Sequence, residues 1–277
     1  ADAAVKKISN YITRKVADKL KALFTENRAD FEKKWNDIKI VLEYGMLSEP
    51  KFYEKAGAFV LYPTVDGTYF ILDEIKEKLK ANQTDKNGKL VVLYASNKET
   101  QHSYISAAKD KGYEVLLIQK LESDNENVTF VRVDGDSVEK LIQKEETQIS
   151  KLSDTELETL KTTLESSIPK PTYSVQLEAL DSKSAPFIIT QPEFMRRMKE
   201  MSQSGGGGMF GMGNMPDMYN VVVNTNSDLA TTILTTDDKA KQEHLIKQAL
   251  DLAKISQGLL KGEELTAFVK RSFELIQ

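Results

Sequence analysis

The sequence predicts a mixed α/β and α+β chain. A helical segment comes first, a small three-layer α/β/α part follows, and an α+β domain closes with two helices suited to a bundle. Three observations carry this. The opening segment shows helical periodicity alone, the middle alternates helices with nearly continuous apolar strands, and the last two helices have apolar faces too wide for a single core. The 277 residues, 40% of them hydrophobic, give length for about two domains of usual size. The parts are drawn at 1–56, 57–140 and 141–277.

Residues 4–24 read as a helix whose stripe is Ile8, Ile12, Val16, Leu20 and Leu23, with Arg14, Lys15 and Lys19 solvated. Residues 29–43 repeat the pattern: Phe31, Trp35, Ile38 and Leu42 share one face, and Trp35 reads as a core residue. Gly45 and Ser48-Glu49-Pro50 punctuate the next stretch. From Tyr69 the texture changes. Leu72 to Lys80 is a short helix, Lys89 to Tyr94 a buried strand after the Asn87-Gly88 turn, and Glu99 to Lys111 a helix stopped by Gly112. Tyr113 to Ile118 and Val128 to Val133 are further strands, which implies a small parallel sheet covered by helices on both faces.

The charged run 140–151 reads as a helix or linker, and Ser153-Asp154-Thr155-Glu156 is a capping box that opens a helix to about Ser166. Strands follow at Tyr173 to Leu177, Phe187 to Thr190 and Tyr219 to Asn224, then helices at Asp237 to Gln257 and Gly262 to Ile276. On those helices Leu245, Ala249 and Leu252 form one stripe, and Leu265, Phe268, Val269 and Phe273 another. A twofold partner would supply the other half of the bundle.

Between Phe194 and Met218 the chain spends seven of its eight methionines. Phe194, Met195, Met198 and Met201 keep helical spacing on one side of Gln191 to Gln203, while Arg196, Arg197, Lys199 and Glu200 make the rest polar. The apolar residues continue through a glycine loop as Met209 and Phe210. Methionine adapts to irregular apolar partners and glycine frees the backbone, which suits a surface that holds many different partners. Ordinary core packing is the other reading of such a stripe.

Chemistry is sparse. Gly206 to Gly211 matches G-x-G-x-x-G literally, yet a helix precedes it and no lysine or helix start comes after, so phosphate binding is not expected. His102 and His244 stand in different expected domains without ligand spacing, and no cysteine occurs; neither a metal site nor a histidine-based triad is expected. Net charge is −4, with a sequence pI near 5.5 and bases interleaved with acids, which argues against nucleic acid. The absence of cysteine, of an apolar run near 20 residues and of a signal peptide fits a cytoplasmic setting with no membrane partner. The start, without Met and almost directly helical, reads as a piece of a longer chain. The residues alone describe a binding and assembly protein.

The segment Ile8 to Leu20, followed by Phe31-Glu32-Lys33-Lys34-Trp35, resembles the ninety-kilodalton heat-shock protein chaperones. Tyr69 to Glu74, Leu93 to Glu99, Lys111 to Leu117, the methionine helix and Asn224 to Leu229 fall in that family's order. The resemblance covers essentially the whole chain and implies the later middle domain plus the C-terminal dimerisation domain. It implies a homodimer that holds non-native client proteins, and the methionine pattern itself makes Phe194, Met195, Met198, Met201, Met209 and Phe210 the expected client surface. The family's nucleotide pocket and phosphate-reaching arginine lie upstream, so ATP and magnesium belong to the parent protein, and this fragment is expected to hold no cofactor and not to be an enzyme. After Ile118 the chain is shorter than the family usually is, and the client helix found there cannot be mapped. The alternatives are an α/β enzyme with a nucleotide or sugar site on the 69–133 sheet, and a membrane-surface adaptor anchored by the methionine helix. Labelled-nucleotide binding and liposome flotation separate these.

Overall fold

The computed structural model describes residues 2–48, 50–119, 127–144, 147–204 and 216–276, with the side chains of 2, 47, 48 and 200–204 left out. Two compact units emerge, one of residues 1–82 with 116–118, the other of residues 83–115 and 119–277.

The first unit opens with four helices, α1 (Asp2–Glu26), α2 (Arg28–Lys33), α3 (Trp35–Ser48) and α4 (Pro50–Ala56). The helix expected over 29–43 is interrupted at Lys34. There Asp37 N donates to Lys34 O at 3.0 Å, a three-residue turn in place of the regular four-residue bond. Phe31 and Trp35 flank the break and are both buried, their rings 6.2 Å apart, so the core reading of Trp35 stands. The stripe expected on α1 behaves differently. Ile8, Ile12 and Val16 are 60%, 55% and 39% exposed, and the buried position is Ala17 at 1%. The helix packs on α2 and α4, and a small side chain at Ala17 permits close approach there. A short hairpin, β1 (Tyr62–Pro63) with β2 (Tyr69–Phe70), leads into α5 (Leu72–Leu79). Arg28 joins these pieces by donating to Glu32 (2.9 Å), Glu74 (2.8 Å) and the Tyr69 carbonyl (3.0 Å). Glu74 in turn accepts from Ile71 N at 3.0 Å at the start of α5.

Strand β4 (Val115–Leu117) falls mostly in the first unit, while the second holds a three-stranded sheet together with β5 (Val128–Arg132) and β3 (Leu90–Ala95). The parallel pairing of β3 with β5 runs from Leu90 opposite Val128 to Tyr94 opposite Arg132. Every β3 residue is buried, as a strand covered on both faces requires. Asp85 sets the turn before it by accepting from Asn87 N and Lys89 N at 2.9 and 2.8 Å, and Gly88 takes the left-handed φ of +78° that favours glycine. α6 (His102–Asp110) starts three residues later than expected, and α7 (Val138–Leu141) is the only helical part of the charged run among the described residues.

The capping box is present: Ser153 N donates to Glu156 Oε2 at 2.7 Å and Glu156 N to Ser153 Oγ at 3.4 Å, opening α8 (Asp154–Ser167). The three-stranded sheet has the order β6-β8-β7, with β6 (Tyr173–Glu178) parallel and β7 (Phe187–Thr190) antiparallel to β8 (Tyr219–Asn224). α9 (Glu193–Ser204) lies between β7 and β8 in sequence, and α10 (Asp228–Thr235), α11 (Lys239–Ser256) and α12 (Gly262–Glu274) finish the chain. Leu160 and Leu164 of α8, Val221 and Val223 of β8, Ile233 of α10 and Ile246 of α11 meet in one core. α10 has no counterpart among the expected elements. Its signal was Ser227, whose Oγ accepts from Ala230 N at 3.2 Å as an N-cap. The mixture of a parallel unit and a one-faced mixed sheet is the α/β and α+β class that the pattern predicts.

Candidate functional site

α9 carries the first candidate surface. Pro192 precedes it and Glu193 stands in its first turn, both favoured at a helix start. Phe194 projects with 69% of its surface exposed, while Met195 and Met198 are half-buried. Met201 lies on the same helix, but its side chain is outside the described set, as are Met209 and Phe210 entirely. The polar side of the helix differs from the expectation. Arg197 and Lys199 are exposed, Lys199 pairing with Asp217 at 2.6 Å, but Arg196 is only 8% exposed. Its burial is tolerated because the guanidinium is paired: Arg196 donates to Glu193 from Nε at 3.0 Å and from Nη2 at 2.5 Å, and Nη2 also reaches Tyr94 Oη at 3.2 Å. Burial pushes the Glu193 carboxyl up, yet hydrogen bonds from Arg196 and Arg197 outweigh it and hold the group below its ordinary value.

The second candidate surface is the α11–α12 pair. Leu252, Leu265, Val269 and Phe273 are 56%, 40%, 44% and 62% exposed, and Ile276, two residues past the end of α12, is 81% exposed. Leu245 is half-buried. Ala249 and Phe268 are 7% and 9% exposed, covered by the chain itself. Polar residues lock α12 onto α11. Asp251, only 3% exposed, pairs with Arg271, and Lys254, 6% exposed, pairs with Glu264 at 2.7 Å. Arg271 Nε also donates to Gln248 Oε1 at 3.0 Å, and Gln248 Nε2 to Ser272 Oγ at 3.0 Å. The outward apolar stripe of α12 is therefore displayed by a helix tied to α11 through side-chain ion pairs and hydrogen bonds.

Ala249 and Leu252 do something further. They line an apolar cleft of about 310 Å³ together with Tyr104, Val138, Pro186 and Ile188. Tyr104 anchors its floor by donating to Ile189 O, and Gln257 Nε2 donates to both Tyr104 Oη (2.6 Å) and Ile189 O (3.0 Å). Burial raises the Tyr104 phenol well above its ordinary value, so it remains a neutral donor. Asp136, at the edge, is also raised by burial. Neither histidine joins a site: His102 is exposed on α6 and His244 half-buried on α11. Among the described residues no group of three His, Cys, Asp or Glu could hold a metal ion. No described helix is long and apolar enough to cross a membrane.

The chain is 36% identical over 352 residues to a chaperone protein HtpG of Bacteroides fragilis, covering all of this chain and 52% of that protein. A Bacteroides thetaiotaomicron chaperone protein HtpG is 37% identical over the same span. A Porphyromonas gingivalis chaperone protein HtpG is 42% identical over 276 residues, 95% of this chain and 40% of that protein. The chain is a relative of the HtpG chaperones along its whole length. It spans about half the length of the curated Bacteroides relatives it matches. A match of 352 positions against 277 residues also means that the Bacteroides HtpG proteins carry residues with no counterpart here. The chain matches no protein-family description.

Set beside the HtpG resemblance, the structure gathers Leu252, Leu265, Val269 and Phe273 on exposed helix faces and turns Phe194 outward. It assigns Ala249 to a cleft wall and Phe268 to the chain's own interior. Sequence reasoning missed the buried charges Arg196, Asp251 and Lys254. The spacing of Glu193 three and four residues before two arginines signals an ion pair but not its burial, and Asp251 and Lys254 carried no local signal of burial.

Proposed function

We propose that this chain is the dimerisation and client-binding portion of an ATP-dependent molecular chaperone that assists protein folding. The observation that carries the reading is the apolar stripe of Leu265, Val269 and Phe273, with Ile276 just past the helix end, left open on a helix that the Lys254–Glu264 and Asp251–Arg271 pairs tie to α11. A rigid apolar face is what a second copy can cover at little entropic cost. Phe194 beside Met195 and Met198 supports the client surface, because an exposed aromatic beside adaptable thioethers gains most from covering non-native apolar segments. Met201, Met209 and Phe210 extend that surface in the proposal.

In this reading the domains run 1–56, 57–140 and 141–277, and the parent protein binds ATP and magnesium while this portion holds no cofactor and performs no catalysis. The partners are a second copy and non-native proteins in the cytoplasm, with no role for nucleic acid or membrane. The test is suppression of aggregation of heat-unfolded citrate synthase at increasing chain concentration. Suppression that falls at least threefold with Phe194→Ser supports the client surface. Equal suppression by the variant removes Phe194 from it, and no suppression by the unaltered chain removes the client-binding reading.

A further inference from the structure

The buried Arg196 lies on the helix that the sequence pattern presents as freely solvated on its polar side. Its partner Tyr94 is 2% exposed near the end of β3, and Tyr94 is the register partner of Arg132 at the end of β5. Both residues of that pair reach the chain that opens α9. Tyr94 Oη receives Arg196 Nη2 at 3.2 Å, and Arg132 Nη2 donates to Gln191 Oε1 at 3.3 Å. Asp134 supports the second arm by accepting from Arg132 Nε (2.5 Å) and Nη2 (2.9 Å), while its carbonyl accepts from Gln191 N at 3.0 Å. Glu193 closes the first arm and also binds Arg197.

We infer that Tyr94 and Arg196, backed by Arg132 and Gln191, form a positioning clamp that fixes the rotation of α9 on the end of the parallel sheet and thereby turns Phe194 outward. One side of the helix start is bolted to the strand ends through charge-assisted bonds, so the apolar side at Phe194 faces away. A shift at the ends of β3 and β5 reaches α9 through the same bonds. Arg196 is thus a positioning residue for the client surface, and in that respect the inference rests on the proposed function.

The experiment measures amide hydrogen exchange by mass spectrometry on the 277-residue chain and its variants Tyr94→Phe, Arg196→Gln and Arg196→Lys. Aggregation suppression of heat-unfolded citrate synthase is measured in parallel. Tyr94→Phe removes one oxygen from an otherwise unchanged ring and keeps the fold testable if Arg196→Gln fails to fold. The expected result is exchange about tenfold faster across residues 193–199 with β6 and β8 unchanged. Arg196→Lys should give a partial effect, because one ammonium cannot make the forked contact. Unchanged exchange at 193–199 in Tyr94→Phe overturns the clamp, and so does an equal rise throughout the second unit. Exchange decides the clamp without reference to clients. Aggregation suppression that is absent in the unaltered chain, alongside local exchange that responds as expected, removes the client reading and leaves the clamp standing.

Discussion

Phe268 and Phe273 stand on the same helix with the same chemistry and opposite surroundings, so their replacement by alanine separates protomer stability from association. Phe268 is 9% exposed and lies under Arg271, whose guanidinium carbon is 5.9 Å from the ring centroid. Phe268→Ala should cost about 3–5 kcal/mol of protomer stability, the range for a buried phenylalanine that leaves a cavity. Phe273 is 62% exposed, so its own protomer covers about two fifths of it. Phe273→Ala should cost the protomer only about 1 kcal/mol, the covered share of a full side-chain burial. Covering the rest with a partner is worth about 1–2 kcal/mol per side chain, and a twofold interface counts it twice. The dimer dissociation constant should therefore rise by about two orders of magnitude. Urea unfolding at concentrations where the protomer dominates reports the first quantity, and sedimentation equilibrium reports the second. A Phe273→Ala chain that loses as much protomer stability as Phe268→Ala, with unaltered association, would refute the assignment of this face.

The same geometry sets three further outcomes. Arg28 hydrogen bonds outweigh partial burial and hold the Glu74 carboxyl below its ordinary value of 4.5; because the folded-state value is the lower one, the stabilisation is complete above about pH 4.5 and fades as pH falls through the folded value. Glu74→Gln should cost under about 1 kcal/mol at neutral pH, given its partly exposed setting, and nothing near pH 2, as read by urea midpoints across pH. Asp251→Ala leaves Arg271 without its buried carboxylate and should cost about 3–5 kcal/mol, with faster amide exchange concentrated in α12; slow exchange retained there would show that the pair does not hold the helix. Replacing the exposed Phe194 by serine should lower aggregation suppression while shifting the melting temperature by less than about 2 °C, since a surface change seldom exceeds about 0.5 kcal/mol. A steep fall in melting temperature would make it a core residue.

Much of the fold was legible because local signals and burial agree. β3 reads as a continuous apolar run and is buried on both faces, and the Ser153–Glu156 capping box opens α8 where the pattern places it. α10 was missed because its eight residues give barely two turns of periodicity and its N-cap serine follows a buried polar turn. There Asn226 Nδ2 donates to Ile149 O at 3.1 Å and to Leu180 O at 3.0 Å, pairings between distant segments that no local pattern encodes. The α1 stripe shows the complementary failure, since an amphipathic pattern marks a face that seeks a partner without saying which partner or whether this chain provides it. At the candidate site, Phe194 and Phe273 were legible as apolar residues on helices. Their neighbours Arg196 and Phe268 were not, because the local Glu193 pair does not reveal the cover that Tyr94 brings from a distant strand, and little more than one helix turn decides between interior and surface.

Two copies of this chain are expected to join through α11 and α12, and sedimentation equilibrium from about 1 to about 50 μM reads that association. The expected mass approaches twice the 31.2 kDa of the chain, falling toward a single copy for Phe273→Glu. A mass that stays at one copy at tens of micromolar would contradict it.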